Sequence, residues 1–397
     1  MRDVPALVLR DPSLRMIAGG ILLFGAFASS VGVHQSLVAV EVFGLGDSGY
    51  ALLLLLAMAV SVSASIAMGI ATDRGPHRRR MALLAATCSL LGAALVAVAR
   101  TPLSFVLAHV LLLPAGGTIF GQLFAAARLA SGRHPPVVRD SLLAVLRALF
   151  AVPFMLGLPL WGLAFSHGLP LLALYPAVTL LAALHLLLVW RAWPPDHAAP
   201  WEESKSGLGL RASLRELAAG PVLLRVALVG AIHTGSAVVG IILGLLFAAV
   251  GRGTGDVGLF FGLFVAFEVL GTLAVGALVR TVPRLTLIAI GVGLYALFLT
   301  CLPFLAATPW LWLLILPAGV GGGFLYTLAI AYLQDLLAAR PGAGGSLIAV
   351  QRVAAEGLTT AIYGVGAWAQ GYATVSVLAA GAILLAMGAI LRLDGAR

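Results

Sequence analysis

A seven-residue stretch that occurs twice sets the frame for this chain. Ser141-Leu-Leu-Ala-Val-Leu-Arg147 returns as Ser346-Leu-Ile-Ala-Val-Gln-Arg352, identical at five of seven positions and 205 residues further on. A second echo flanks it: Leu-Leu-Leu-Pro-Ala-Gly at 111–116 recurs as Leu-Ile-Leu-Pro-Ala-Gly at 314–319. Two matches at nearly one offset mean an internal duplication of about 200 residues. Each copy also places one arginine inside a long apolar run. An ionisable residue there costs about 2.5–3.5 kcal/mol on insertion scales and is a functional-site candidate for that reason. Duplicated membrane halves around a polar centre imply a transporter.

Composition fixes the environment. Of 397 residues 61% are hydrophobic and 10% charged, against roughly 25% charged in a soluble domain. The net charge of +9 lies in short loops between apolar runs, which reads as topology and excludes a groove for nucleic acid. Cys88 and Cys301 both fall in apolar runs and imply no disulfide framework. Ala26-Phe27-Ala28 mimics a signal-peptidase site, but the apolar run continues to Val42, so the segment is expected to stay as a span.

A span needs about 20 apolar residues, and twelve are expected, near 14–42, 49–71, 81–99, 103–127, 141–165, 170–190, 222–250, 257–279, 285–306, 309–333, 345–369 and 372–391. The fold class is therefore all-α integral membrane, with twelve transmembrane helices in two six-helix repeats. The expected division is 1–192 for the first half, a polar linker at 193–220, and 221–397 for the second half. Of 24 Lys and Arg, Arg147 and Arg352 lie in spans and only Arg100 and Arg252 fall on the second side. That bias places both termini in the cytoplasm of a bacterial-type inner membrane. Pro114, Pro153, Pro159 and Pro317, with Gly116, Gly117, Gly319 and Gly321 to Gly323, are open to two readings: close helix packing, or a bending helix.

Several residues invite chemistry. Arg147 and Arg352 lie about eight residues past a span start, hence roughly 12 Å deep. Glu356, four residues after Arg352, shares its helix face and can neutralise it. Glu268 lies near the middle of the eighth span with no partner in its own helix. Burial favours the neutral form of a carboxyl and a nearby arginine the charged form. A group held between these influences can exchange a proton as a cavity opens to either side. Glu268 is the first candidate for proton coupling and Glu356 the second, with a static charge cluster as the alternative. Gln35, Gln122, Gln351 and His233, with the two arginines, could bond the hydroxyls of a solute. Tyr326 and Tyr363 are candidate aromatic faces or packing residues. No Walker-type phosphate loop, Cys/His metal cluster or nucleophile constellation is present in the sequence. The expectation is thus no enzyme, no metal and no cofactor beyond a proton gradient.

Between the second and third spans runs Gly69-Ile-Ala-Thr-Asp73-Arg74-Gly75-Pro76-His77-Arg78-Arg79-Arg80. This loop resembles the signature loop of the major facilitator superfamily, matching it at Gly69, Asp73, Arg74, Arg78 and Arg79. The second glycine is displaced, with Gly75 early and Pro76 in its place. The second-half loop, Gly276 to Arg284, lacks the acid. The resemblance implies the major facilitator fold, with an aspartate at a helix N-terminus and arginines paired with acids to lock the cytoplasmic side. Within that superfamily the chain looks most like the bacterial sugar efflux transporters, over nearly its whole length. The resemblance rests on Gln122 to Arg128, Leu146-Arg147-Ala148, and Tyr332-Leu-Gln334-Asp335-Leu336 before a Gly/Ser-rich turn. It also covers Gln35 and Glu268, while Glu356 and His233 depart from it. Gln334, Asp335 and Arg340 join the expected cytoplasmic gate, Asp335 and Arg340 being equally suited to capping a helix.

The resulting expectation is a monomeric secondary transporter that exports sugars or small hydroxylated solutes by proton antiport. Its partners are a small-molecule substrate and the lipid bilayer. A multidrug or lipophilic-cation exporter is the alternative on the same fold, and would want an acidic pocket without offsetting arginines. A non-transporting receptor or assembly factor is the alternative of another class, and predicts eroded polar centres.

Overall fold

In lipid a backbone has no water to bond, so each crossing must satisfy its own N–H and C=O groups as a helix. The computed structural model describes residues 4–75, 77–196, 198, 220–337, 344–369 and 371–394 and is all-helical apart from short turns. After a short helix at Val4–Arg10 come α1 (Pro12–Leu37), α2 (Gly46–Arg74), α3 (Arg78–Ala99), α4 (Pro102–Ser131), α5 (Pro136–Ser166) and α6 (Leu174–Ala192). The second repeat supplies α7 (Gly220–Ala249), α8 (Thr254–Leu278), α9 (Arg284–Leu305), α10 (Ile315–Leu337), α11 (Gly344–Ala369) and α12 (Tyr372–Asp394). Among the described residues eleven of these are long and apolar enough to cross a membrane. The 26-residue α11, which carries Arg352 and Glu356, takes the remaining place. This is the expected twelve-helix membrane fold.

Local sequence sets the helix ends. Asp11 caps α1, its Oδ1 accepting from the Ser13 and Leu14 amides at 2.8 and 3.1 Å, with Pro12 at the first helical position, where no amide donor is needed. Thr101 and Ser104 form a reciprocal capping box at the start of α4. The α1–α2 turn is tight because Gly44 and Gly46 adopt φ of 63° and 64°, a region glycine enters without steric cost. Two helices leave ideal geometry: α1 ends in a π turn at Val38–Val42, and α4 contains another at Ala108–Leu112 just before Pro114.

Leucines point outward along the bundle. Leu52, Leu91, Leu160, Leu180, Leu273 and Leu385 are all more than half exposed, an arrangement suited to lipid chains and not to water. Interiors are small-residue and aromatic. Ala126, Ala127 and Ala130 of α4 pack with Leu14, Ile17, Leu142 and Val189. In the α7–α9 interior Phe260 stacks on Phe298 and meets Phe247 edge-on.

The glycines of the repeated Pro-Ala-Gly segments resolve one open reading. A Cβ on Gly116 would collide with Ser89 of α3, and one on Gly319 with Phe267 of α8. A Cβ on Gly323, one turn beyond Gly319, would strike the Glu268 carbonyl, while one on Gly321 would point the other way and lie 2.9 Å from the Gly291 carbonyl of α9. So α10 is wedged between α8 and α9 by glycines on two faces, and these positions serve close helix packing. Gly117 differs: a Cβ there meets open space.

The chain forms two compact units. One comprises 1–32, 56–157 and 169–207; the other comprises 33–55, 158–168 and 208–397. The second unit therefore contains the whole second repeat together with the ends of α1, α2 and α5 farthest from the termini. Within it Gly162 of α5 meets the Gly255 carbonyl of α8, a Cβ there lying 2.6 Å away, and Gly258 meets the Leu158 carbonyl. Leu37 of α1 likewise fills the space over Gly244 of α7.

Gly323→Leu should force α8 from α10 and lower the melting temperature in detergent by several degrees, a cost of about 1–3 kcal/mol. Gly117→Ala, facing open space, should melt at or above the wild-type temperature. Equal melting of the two variants would contradict the wedge.

Candidate functional site

Polar groups inside the spans fall into two classes, those with partners and those without. On α8, Phe264, Glu268 and Thr272 recur every four residues and so share one face. That face meets α10: Thr272 Oγ1 donates to the Gly323 carbonyl at 3.4 Å and accepts from Thr327 Oγ1 at 3.1 Å. Glu268 is half-buried between them, and among the described residues its carboxyl has no hydrogen bond or ion pair. Across the bundle Tyr295 of α9 is 1% exposed, and its hydroxyl finds no hydrogen-bond partner.

The other expected coupling carboxyl is different. Glu356 Oε1 accepts from Arg352 Nε on α11, the i,i+4 pairing its spacing foretold. Arg147, the sequence counterpart of Arg352, has an exposed side chain, with Ala151 where the second copy has a carboxylate. The two copies therefore present different electrostatics.

The expected solute-bonding residues are placed as follows. Gln35 and Gln351 are half-buried. The His233 ring donates from Nδ1 to the Val229 carbonyl at 2.9 Å, which leaves Nε2 of a neutral ring as an acceptor. Gln122 is 7% exposed and accepts from Arg78 through Oε1 at 3.1 Å. Tyr363 is fully buried and donates to Asp47 Oδ1 at 2.8 Å. Tyr326 is 40% exposed on α10. Among the described residues no three His, Cys, Asp or Glu side chains are grouped to hold a metal ion.

The loop expected to gate one side is tied to its own repeat. Besides the Arg78–Gln122 bond, the Arg79 guanidinium donates to the Trp190 carbonyl and its amide to Asp196, both at 2.7 Å. These bonds fasten the α2–α3 loop to α4 and to the end of α6. Gly69 lies in the last turns of α2, which ends at Arg74. Asp73 thus sits at the C-terminal end of its own helix, where that helix's macrodipole disfavours a carboxylate, so α2 cannot be the favourable helix. The side chains of Asp73, Arg74, Gln334 and Asp335, and Arg340 altogether, lie outside the described residues.

Three clusters escaped the sequence. Arg225 of α7 makes a bidentate contact with Asp394, at 2.6 Å from its terminal nitrogen and 3.0–3.1 Å from Nε, and Tyr332 donates to the same carboxylate. Asp47, in the first turn of α2, takes Tyr363 and also Tyr372 at 2.9 Å on one oxygen. Tyr50 packs edge-on against Tyr363 with centroids 5.6 Å apart. The third is the neighbourhood of Tyr295. Partners separated by 169 and 316 residues leave no local spacing to read.

The family model of the Major Facilitator Superfamily matches residues 123–359. A Deinococcus radiodurans protein, provisionally named a sugar efflux transporter, is 28% identical over 137 residues. That match spans about a third of each protein, 34% of this chain and 35% of the relative. Crystal structures of the nucleoside transporter NupG and of a point mutant of it superpose with TM-scores of 0.74 and 0.73 at 14% identity. They cover 96% and 97% of this chain and 99% and 100% of theirs, respectively. At that identity the likeness is one of fold.

The Arg225–Asp394 pair is largely shielded, at 11% and 15% side-chain exposure. Asp394→Ala should leave the guanidinium unsatisfied and cost about 1.5–3 kcal/mol. The double variant Arg225→Met/Asp394→Leu should melt closer to wild type than Asp394→Ala does. Additive losses in a melting series would show that the pair is not coupled.

Proposed function

The chain belongs to the Major Facilitator Superfamily, and we propose that this transporter exports sugars or other small hydroxylated solutes in exchange for protons, by alternating access. The observation that carries the reading is the Glu268 carboxyl. It sits near mid-span, half-buried, with no ion pair or hydrogen bond among the described residues. Among the described residues the other span acids are held or lie at an exposed end: Asp47 by two tyrosines, Asp394 by Arg225, Asp256 by Arg252 at 2.9 Å, Glu356 by Arg352 and Asp140 by Arg139, while Glu41 is exposed where the first span ends. A static role would leave Glu268 paired, because an unpaired charge in a span is costly. A role in proton exchange requires a carboxyl that is stable neutral in one state and charged in another.

The neutral, hydroxyl-rich nature of the solute is supported by the supply of polar groups. The half-buried amides of Gln35 and Gln351 and the free acceptor nitrogen of His233 suit hydroxyl recognition. The two central arginines argue against a lipophilic cation. The Deinococcus radiodurans relative named for sugar efflux points the same way over the third of the chain that it matches. A nucleoside, named for the NupG structures, is itself a hydroxylated sugar bearing a base and belongs in the same panel of solutes. The positive-inside bias of the loops supports an inner membrane with both termini in the cytoplasm.

Proteoliposomes holding a pH-sensitive dye, under an imposed pH gradient, test this directly. Sugars and nucleosides should drive proton movement in wild type, and Glu268→Gln should reduce that movement to background while solute still binds. Proton movement with lipophilic cations alone would replace the proposal by drug export. Proton coupling that survives Glu268→Gln would remove Glu268 from the mechanism.

A further inference from the structure

The α8 face that carries Glu268 touches Tyr295 of α9 through Phe264. The Tyr295 ring is clamped between two glycines: a Cβ on Gly235 of α7 would lie 3.2 Å from its Cδ1, and one on Gly322 of α10 3.6 Å from its Cε2. Its backbone amide abuts Gly321, where a Cβ would lie 3.0 Å away. Phe264 and Phe298 close the remaining sides edge-on, with centroids at 6.3 and 5.5 Å. Such a clamp fixes the ring, and the hydroxyl it carries is buried with no partner. Buried hydroxyls are nearly always bonded, so an orphan calls for an explanation.

The explanation lies one turn along α8. Phe264, which touches the Tyr295 ring, stands four residues before Glu268 on the same face. Helical side chains lean toward the helix N-terminus, which carries the Glu268 carboxyl back toward the level of Phe264. We infer that Tyr295 is a positioning residue for Glu268, its hydroxyl donating a hydrogen bond to the carboxylate in the proton-released state and standing free when Glu268 is protonated. The inference rests on the proton-exchange reading of Glu268. The Glu268 O–H bond breaks, the proton leaves to water on the open side, and Tyr295 keeps its own proton throughout.

Among the described side chains, most other charged and titratable groups on the surrounding helices are held by partners or lie on other faces. From α7 come Arg225, held by Asp394, and His233, two residues from Gly235 and so about 200° round the helix, on another face. On α8 itself Asp256 is held by Arg252. The α9 helix adds Arg284 at its start and Cys301. From α12 come Tyr372, bonded to Asp47, the exposed Arg392, and Asp394. The α10 helix contributes Tyr332, bonded to Asp394, and Tyr326, one turn beyond Gly322 on the face that meets this pair. Tyr326 is therefore the rival donor and the control.

The experiment measures the pH profile of solute-driven proton flux in proteoliposomes for wild type, Tyr295→Phe, Tyr326→Phe, Glu268→Gln and Tyr295→Phe/Glu268→Gln. Phenylalanine keeps the clamped ring and removes only the donor. Losing a donor to the charged carboxyl should move the midpoint of the profile to higher pH, by about a threefold to tenfold change in proton concentration. Tyr326→Phe should leave the midpoint in place, and Glu268→Gln should flatten the profile with or without Tyr295. A fall in amplitude at an unchanged midpoint would assign Tyr295 to packing and overturn the inference, as would a shift confined to Tyr326→Phe. Coupling that persists in Glu268→Gln would overturn the underlying reading as well, whereas an uncoupled Glu268→Gln beside an unmoved Tyr295→Phe would overturn this inference alone. Infrared difference spectra of the wild-type protein provide a readout that needs no folded Tyr295 variant. A tyrosine C–O band should shift with the same midpoint as the carboxyl band, and a tyrosine band that stays fixed while the carboxyl titrates would sink the proposal.

Discussion

A polar group carried into a membrane span must be satisfied by the protein itself, and that constraint sorts nearly every feature of this structure. It makes each crossing a helix. It turns span hydroxyls back on their own helix, as in Ser30 to the Ala26 carbonyl and Thr359 to the Ala355 carbonyl, both at 2.7 Å. It gathers charged side chains into closed sets such as Arg225, Asp394 and Tyr332. Glycine serves the same end by a different route. Where α10 meets α8 and α9, backbone approaches backbone and leaves no gap in which a polar atom could be stranded. Against this background the carboxyl of Glu268, unpaired among the described residues, and the orphaned hydroxyl of Tyr295 are exceptions, as are Ser36 Oγ and His185 Nε2.

What could be read from the sequence was what is local. Apolar runs of about 20 residues gave the spans, and the repeated Pro-Ala-Gly segments located α4 and α10 as counterparts. The i,i+4 spacing of Arg352 and Glu356 foretold their bond. The same reasoning placed Gln122 among solute-bonding residues, where the structure sets it against Arg78; their 44-residue separation carries no periodic signal. Asp47 was legible only as an acid near a span end. Its two phenol partners lie in α11 and α12, and nothing short of the packed bundle brings them together. Tyr295 was invisible for the opposite reason. A tyrosine in an apolar run reads as packing, and only the tertiary structure shows that its ring is packed while its hydroxyl is not.

Duplication produced two halves with the same helices and unequal chemistry. Arg147 and Arg352 occupy matched positions and are both exposed, yet only Arg352 has a carboxylate one turn on to bond. The loop between α2 and α3 binds the end of α6 and Gln122 through consecutive arginines, whereas the corresponding stretch between α8 and α9 has no acid at the equivalent point. The unpaired carboxyl of Glu268 lies in the second repeat. Under the proton-exchange proposal it would be a single coupling group on one side of a repeated scaffold, a difference that divergence of the copies provides.

The bonds between the repeats differ in kind from those within them. In the second compact unit the ends of α1, α2 and α5 pack on the second repeat through the Asp47–tyrosine bonds, the glycine crossing of α5 on α8, and the contact of Leu37 with Gly244. Neutral phenols donating to one carboxylate contribute about 0.5–3 kcal/mol apiece net, and water can replace them when they separate. Backbone contact at Gly162 and Gly258 involves no side chain that must unlock. Within the second repeat the Arg225–Asp394 set is a shielded charge pair, and opening it would cost about 1.5–3 kcal/mol. Water-replaceable phenol bonds join the start of α2 to α11 and α12, while a charge pair holds α7 to α12 inside the second repeat. That distribution suits the alternating access proposed above.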